Sequence, residues 1–441
     1  MKPHRILAVA LLLAPAAAGA QEGPPLSLDE ALRMGRANNP GFQQRLNDED
    51  VSTWDVRGAY ESFLSLRVQP LTLSGRRNTQ VNNAAGRAAV TNESSTASQS
   101  LNASLTLDAS RWNSLQTAHT QKEEVVRTTA AAAFDLDVNV TRAYYQAQSA
   151  EAQIELAERQ LGQARQRLAV TEEKIPLAAA SALELQQGQL DVLSREQQLA
   201  NAQGAARSAR LALATQLGVG GAGDWQLTTE VPTPFDPAVL DPDALVDRAL
   251  RENRTLQAQE VSERLAAQRS TLARRTAWWP SLGLGWQLSR NAFAADYGAF
   301  SQVNPNDTRQ SSLSLTVSLP FLRPVGTAAN IATSAMAATD AEHQTRAQRL
   351  NVERDVRTYI IQLENAWRSL QIADQTAVVA RQQLELAQEQ LRLGVLSSLA
   401  FQQVIDSAAQ AEVSALNARF DFLNRRLNLE QQLGGPIDPQ L

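Results

Sequence analysis

The most constraining feature of this 441-residue chain is a hydrophobic ladder that occurs twice. Apolar residues follow one another at alternating steps of four and three, and the second ladder lies 216 residues after the first. The first ladder consists of Leu136, Val140, Ala143, Ala147, Ala150, Ile154, Ala157, Leu161, Ala164 and Leu168. The second consists of Val352, Val356, Tyr359, Leu363, Ala366, Leu370, Ala373, Ala377, Ala380 and Leu384. A period of 3.5 residues is typical of long helices that supercoil around a partner. The ladders therefore predict two copies of one elongated helical unit.

Other landmarks repeat with nearly the same offset. Asn39 and Asn253 are 214 residues apart, whereas Gly218 and Gly434 are 216 apart. Constant offsets of this kind indicate duplication. The predicted organisation is a signal peptide (1–20), a first repeat (21–223), an extended Pro-rich connector (224–242), a second repeat (243–434) and a short tail (435–441).

The first twenty residues are typical of an export signal. Lys2 and Arg5 precede an apolar run over 6–14, and an A-x-A site ends at Ala20. The run is too short to cross a bilayer as a helix, so we expect an exported product. The alternative is a cytosolic protein with a fortuitously apolar start.

The composition argues against disulfides, metal sites and catalysis. The chain has no cysteine, three histidines and a formal net charge of −5. It can form no disulfide and carry no lipid on a terminal Cys, and we expect no metal site and no cofactor. The acidic balance argues against nucleic acid as a partner. No nucleophile or phosphate-loop motif occurs, so we do not expect an enzyme.

Each repeat is predicted to run helix, strand, loop, strand, long helix, break and shorter helix. The opening helix is expected over 28–66 with Ser27 as its N-cap, and its counterpart over 243–278, before Pro280. A long helix over 121–174 would span about 80 Å. Its return helix is expected over 183–217, and the two would form an antiparallel coiled-coil hairpin.

Four segments switch to a period of two residues, which predicts strands with one apolar and one polar face. They cover 71–74, 101–108, 282–289 and 313–319. Polar loops are expected over 77–98 and 291–309. Aromatic residues gather near the strand ends, as at membrane interfaces, namely Trp112, Trp278, Trp279, Phe293, Tyr297, Phe300 and Phe321. The alternative interpretation is a half-buried sheet in a soluble domain.

A lipid-facing sheet of four strands cannot remain open. Unpaired backbone groups at a sheet edge find no water in a bilayer, so other copies of the chain must complete the wall. Closed cyclic symmetry is the simplest arrangement for identical chains.

The order of these segments resembles the TolC family of outer-membrane efflux and secretion ducts, over residues 28–434. The resemblance rests on the opening Leu-Asp-Glu-Ala-Leu at 28–32, on Trp-Trp-Pro at 278–280 and on Arg-Leu-Gly-Val-Leu-Ser at 392–397. The family fold is mainly α with a small β part. The resemblance implies a homotrimer in which four strands from each chain complete a twelve-stranded β-barrel in the outer membrane of a Gram-negative bacterium. Helical hairpins would form an α-barrel in the periplasm that meets an adaptor (membrane fusion protein) and an inner-membrane transporter.

The hairpin tips are the candidate adaptor contacts. Gly394 allows the chain to reverse, and apolar neighbours would be exposed around it. The predicted tip residues are Leu393, Gly394, Val395, Leu396 and Ser397 in the second repeat and Leu177, Ala178, Ala179 and Ser181 in the first. Ala178 takes the place of a glycine in the first tip, which departs from the family's paired glycine tips.

A periplasmic entrance is expected just past the tips, where the family commonly places acidic residues. The candidates are Glu184, Ala400, Gln403 and Asp406. Three copies of Glu184 could form a ring that attracts cations, although a solvated or salt-bridged side chain is an equal alternative.

These features predict a passive channel of a tripartite efflux or type I secretion system. The competing hypothesis is a structural or adhesive coiled-coil envelope protein without a pore. The sequence leaves the cargo and the pump class open.

Overall fold

The computed structural model describes residues 24–63, 66–82, 90–176, 181–221, 223, 225–294, 308–319 and 324–437. The predicted signal peptide lies outside these residues. Contacts divide the chain into two compact units. The first unit comprises Met1–Pro40, Leu136–Ala238 and Gln362–Leu427. The second comprises Gly41–Asp135, Val239–Ile361 and Asn428–Leu441.

Helices make up most of the described chain. In chain order they are α1 (Leu28–Asn38), α2 (Pro40–Phe63), α3 (Ala109–Lys174), α4 (Ala182–Leu217), α5 (Pro242–Glu252), α6 (Arg254–Trp278), α7 (Pro324–Arg392) and α8 (Ser398–Leu433). No described helix combines the length and apolar character that a bilayer-crossing helix requires.

The strands form two sheets. Their bounds are β1 (Pro25–Leu26), β2 (Leu66–Asn82), β3 (Val90–Leu107), β4 (Gln226–Leu227), β5 (Ser281–Ala294) and β6 (Thr308–Ser318). Strands β1 and β4 pair in parallel, and the other four form an antiparallel sheet in the order β2-β3-β5-β6. In that sheet Leu105 lies opposite Leu284, which lies opposite Leu315, so leucines of three strands share one face.

The heptad seams are confirmed. Every member of both ladders is buried or half-buried, and Val140 and Val356 are fully buried. Alanine is the commonest residue in both seams, and small side chains let the packed helices approach closely. The predicted order of helices and strands is likewise found in both halves of the chain.

The strands are longer than the sequence suggested. Pairing of β2 with β3 continues to Asn82 and Val90, inside the expected loop. Strand β5 likewise runs to Ala294. The extension of β3 before residue 101 is rich in Ser, Thr and Asn, which pair through their backbones but give no alternating apolar signal. The remaining parts of both expected loops, together with Tyr297, Phe300 and Phe321, lie outside the described residues.

Both opening helices are broken where one continuous helix was expected. Asn39 precedes proline and adopts an extended conformation, since the Pro ring excludes the helical region. Asn253 breaks the second helix without a proline, and its side chain caps α6 at Leu256. The Ser27 cap is confirmed as a full capping box with Glu30.

Each break is bonded to the end of a return helix. The side-chain amide of Asn39 donates to the carbonyl of Gln216 at 3.0 Å, and that of Asn253 donates to the carbonyl of Gln432 at 2.9 Å. Gly218 and Gly434 follow these carbonyls in the left-handed region, at φ 70° and 74°. The duplication therefore extends to a specific hydrogen bond between elements.

The connector of the first unit is anchored by one buried tyrosine. The hydroxyl of Tyr144 donates to the carbonyl of Leu26 at 2.8 Å and accepts from the backbone amide of Thr229 at 3.1 Å. The side chain of Gln148 donates to the Thr229 carbonyl at 2.6 Å. The β1–β4 pair is thereby held against α3.

Candidate partner-docking site at the hairpin tips

The second tip reverses the chain in five residues between α7 and α8. The Gly394 amide donates to the carbonyl of Leu391 at 3.0 Å, and the Val395 amide donates to that of Gln390 at 2.9 Å. This pair of bonds defines a Schellman motif, which requires a left-handed residue, and Gly394 has φ 72°. The tip is therefore a rigid turn with satisfied carbonyls.

Apolar side chains project from this turn. Leu393 is 63% exposed and Val395 is 77% exposed. Leu396 differs from the expectation of exposure, because it packs on the cluster formed by Ala387, Phe401 and Ile405. The Ser397 hydroxyl accepts the backbone amide of Ala400 at 3.3 Å, as an N-terminal cap does.

The first tip is described only at its two ends. Helix α3 ends at Lys174, followed by a turn at Ile175 and Pro176. The predicted tip residues Leu177, Ala178 and Ala179 lie outside the described residues. Ser181 caps α4, and its hydroxyl accepts the backbone amide of Glu184 at 3.2 Å.

Glu184 acts as the second half of that capping box. Its carboxylate accepts the backbone amide of Ser181 at 2.8 Å. This bond is the largest cause of a pKa below the ordinary value, followed by a hydrogen bond from the Ser398 hydroxyl. The carboxylate is thus bound at the start of α4, and it also contacts the first residue of α8.

The counterpart of this box is incomplete in the second repeat, because Ala400 stands where a carboxylate would reach back. Gln403 is exposed one turn further along α8. Asp406, the last entrance candidate, forms an ion pair with the guanidinium of Arg195.

Arg195 belongs to a charge network that joins three helices of the first unit and has a buried centre, Arg195 and Asp191, and more exposed ends, Arg167 and Asp406. Its side chain is only 7% exposed and also bonds Asp191 at 3.2 Å. Asp191 in turn accepts from Arg167 at 2.8 Å. Two cations and two anions balance, as buried charges require. The sequence carried a local signal, the Asp-x-x-x-Arg spacing on α4, but the partners on α3 and α8 come from tertiary packing.

Comparison with known proteins gives likenesses over nearly the whole chain. A membrane protein from Pseudomonas aeruginosa is 18% identical with a TM-score of 0.75, covering 92% of this chain and 93% of that chain. The Campylobacter jejuni CmeC outer membrane channel is 15% identical with a TM-score of 0.76, covering 94% of this chain and 87% of that one. The open state of the Neisseria gonorrhoeae MtrE outer membrane channel is 17% identical with a TM-score of 0.70, covering 92% and 89%. No curated protein sequence matches the chain.

The doubled arrangement of strand pair and long hairpin thus defines a TolC-like channel fold, which confirms the resemblance seen in the sequence. The family profile described as outer membrane efflux protein matches residues 49–219 and 245–435, more than half of the chain. The chain belongs to the outer membrane efflux protein family. This family consists of passive channels, so the expectation that the chain is not an enzyme is confirmed.

Proposed function

We propose that the chain is the outer-membrane channel of a tripartite efflux or type I secretion system. It conducts substrate passively from a periplasmic adaptor and an inner-membrane transporter to the exterior. Three copies assemble in the outer membrane of a Gram-negative bacterium, with the α-barrel in the periplasm. Residues 1–20 direct export, and the repeats at 21–223 and 243–434, joined by the connector at 224–242 and followed by the tail at 435–441, build the wall.

The observation that carries this proposal is the four-stranded sheet. Within the described residues its outer strands β2 and β6 each have one neighbour only. On β6, Leu313 and Leu315 are among the most exposed apolar side chains. An apolar face with two open edges is stable in lipid only if other strands close it. Neighbouring copies supply those strands, and three copies give twelve.

The second hairpin tip supports a protein partner. Leu393 and Val395 project from a turn whose backbone is already satisfied. Exposed apolar side chains on a rigid turn favour a protein partner. We assign adaptor docking to residues 393–397 of the second tip and to residues 177–179 and Ser181 of the first. We assign the entrance to Glu184, Ala400, Gln403 and Asp406.

Single-channel recording tests the proposal. Protein purified from outer membranes and added to a planar bilayer is expected to give discrete, long-lived conductance steps. A matched preparation from cells without the gene is the control. Protein that carbonate washing releases from membranes, and that never conducts, would instead support the envelope coiled-coil hypothesis.

A further inference from the structure

A cavity with both polar and apolar walls lies in the second unit, between the start of α3 and the end of α6. Its volume is about 310 Å³. Polar residues on both helices line it, among them Asn113 and Gln116 on α3 and Arg264, Gln268, Thr271 and Arg275 on α6. Ligand pockets measure roughly 300–1,000 Å³, so this cavity has room for a headgroup-sized molecule.

The lining residues favour a ligand that carries a negative charge and can also donate a hydrogen bond. Within the described residues Arg275 has no ion-pair partner, whereas Arg264 is bound to Glu123 at 3.0 Å. A guanidinium matches a phosphate with two parallel hydrogen bonds. The Oε1 atom of Gln268 is buried without any hydrogen-bond partner in the described part of the chain. Such an acceptor is costly unless a donor reaches it.

Two exposed tryptophans place this cavity beside the strands. Trp278 is 75% exposed and lies three residues beyond Arg275 on the same face of α6. Trp112 is 61% exposed and lies one turn before Gln116 on α3. Tryptophan is enriched where a membrane meets water. Going from the cavity toward the sheet, the polar lining residues are therefore followed by tryptophans of the kind found at membrane interfaces.

We propose that this cavity binds the headgroup of an anionic, hydroxylated phospholipid of the phosphatidylglycerol type. The phosphate accepts from the free guanidinium of Arg275, and a headgroup hydroxyl donates to Oε1 of Gln268. The tryptophans contact the glycerol and upper acyl region. This inference rests on the proposed function, because it requires the strands to lie in a bilayer.

Native mass spectrometry of the purified protein tests the site. The protein is exchanged into detergent micelles with equal amounts of phosphatidylglycerol and phosphatidylethanolamine. The wild type is expected to retain phosphatidylglycerol, and Arg275→Gln to bind it about tenfold more weakly. Arg275→Lys should keep part of the preference. Arg269→Gln is the matched control, because this arginine is exposed and unpaired among the described residues but lies on another face of α6.

Three results would overturn the site: equal losses in Arg269→Gln and Arg275→Gln, displacement of the lipid by excess inorganic phosphate, and no phosphatidylglycerol preference in the wild type. The first indicates diffuse positive charge, and the second a site for the free anion. If the same preparation conducts in planar bilayers but lacks the lipid preference, only this inference fails. If it neither conducts nor associates with lipid, the proposed function fails as well.

Discussion

Gly218 and Gly394 have nearly the same backbone conformation but different surroundings. Both are left-handed, at φ 70° and 72°. A Cβ atom at Gly218 would collide with the carbonyl of Asn38, whereas one at Gly394 would meet no atom of the described residues within 4 Å apart from its chain neighbours. Substituting alanine at each position therefore distinguishes the cost of backbone strain from the cost of steric overlap.

We expect Gly394→Ala to cost about 1 kcal/mol, the strain of a left-handed alanine alone. Gly218→Ala should also displace the bend between α1 and α2, so it should lower the free energy of unfolding by clearly more. Thermal unfolding in detergent measures both, and equal losses would refute the role given to Gly218. Gly434→Ala should resemble Gly218→Ala, because its Cβ would collide with the carbonyl of Glu252.

Glu184 gives the start of α4 a defined dependence on pH. Its folded pKa lies below the ordinary value of 4.5, first because of the Ser181 backbone amide. A depressed carboxyl pKa contributes stability above the unfolded value, and that contribution is lost as the pH falls through the folded value. Glu184→Gln should therefore lower the unfolding midpoint at pH 7, and the difference from wild type should shrink below pH of about 4. Glu172→Gln, at an exposed position of α3, is the control for removing one carboxylate charge.

At the scale of elements, the second tip combines a turn whose backbone carbonyls are hydrogen-bonded with exposed apolar side chains. We expect Val395→Asp to abolish export while membrane insertion is retained, because a charge would be buried at the partner interface without a counterpart. Val395→Thr keeps the shape and should retain most activity. Toxicant resistance of a deletion strain carrying each variant is the readout. Full resistance with Val395→Asp would remove this contact from the docking site.

The elements differ in how far the sequence revealed them. The seam from Leu136 to Leu168 was predictable because its period reports burial directly. The polar half of β3 was missed, since Ser, Thr and Asn pair through backbone groups whatever their side chains. The break at Asn253 was also missed, because it depends on a bond to Gln432, distant in sequence. The Arg195 network was hidden for the same reason.

At the scale of the whole molecule, the alternating faces of β6 predict opposite effects for neighbouring residues. Leu313 lies on the apolar face opposite Trp286, and Ser312 lies on the polar face opposite Gln287. A lipid-facing arginine costs about 2–4 kcal/mol at mid-membrane, so Leu313→Arg should reduce insertion strongly. Ser312→Arg should insert normally and alter conductance instead. Outer-membrane fractionation of both variants checks this, and equal insertion would contradict a lipid-facing sheet.

The open edges of β2 and β6 also matter before assembly is complete. A newly made copy would carry two unpaired backbone rows and an uncovered apolar face through an aqueous compartment, which makes it prone to pair with the wrong molecule. Its yield should therefore fall when synthesis outruns delivery to lipid. Such a polypeptide is expected to need a chaperone during transit, until the sister copies of the proposed trimer close the ring.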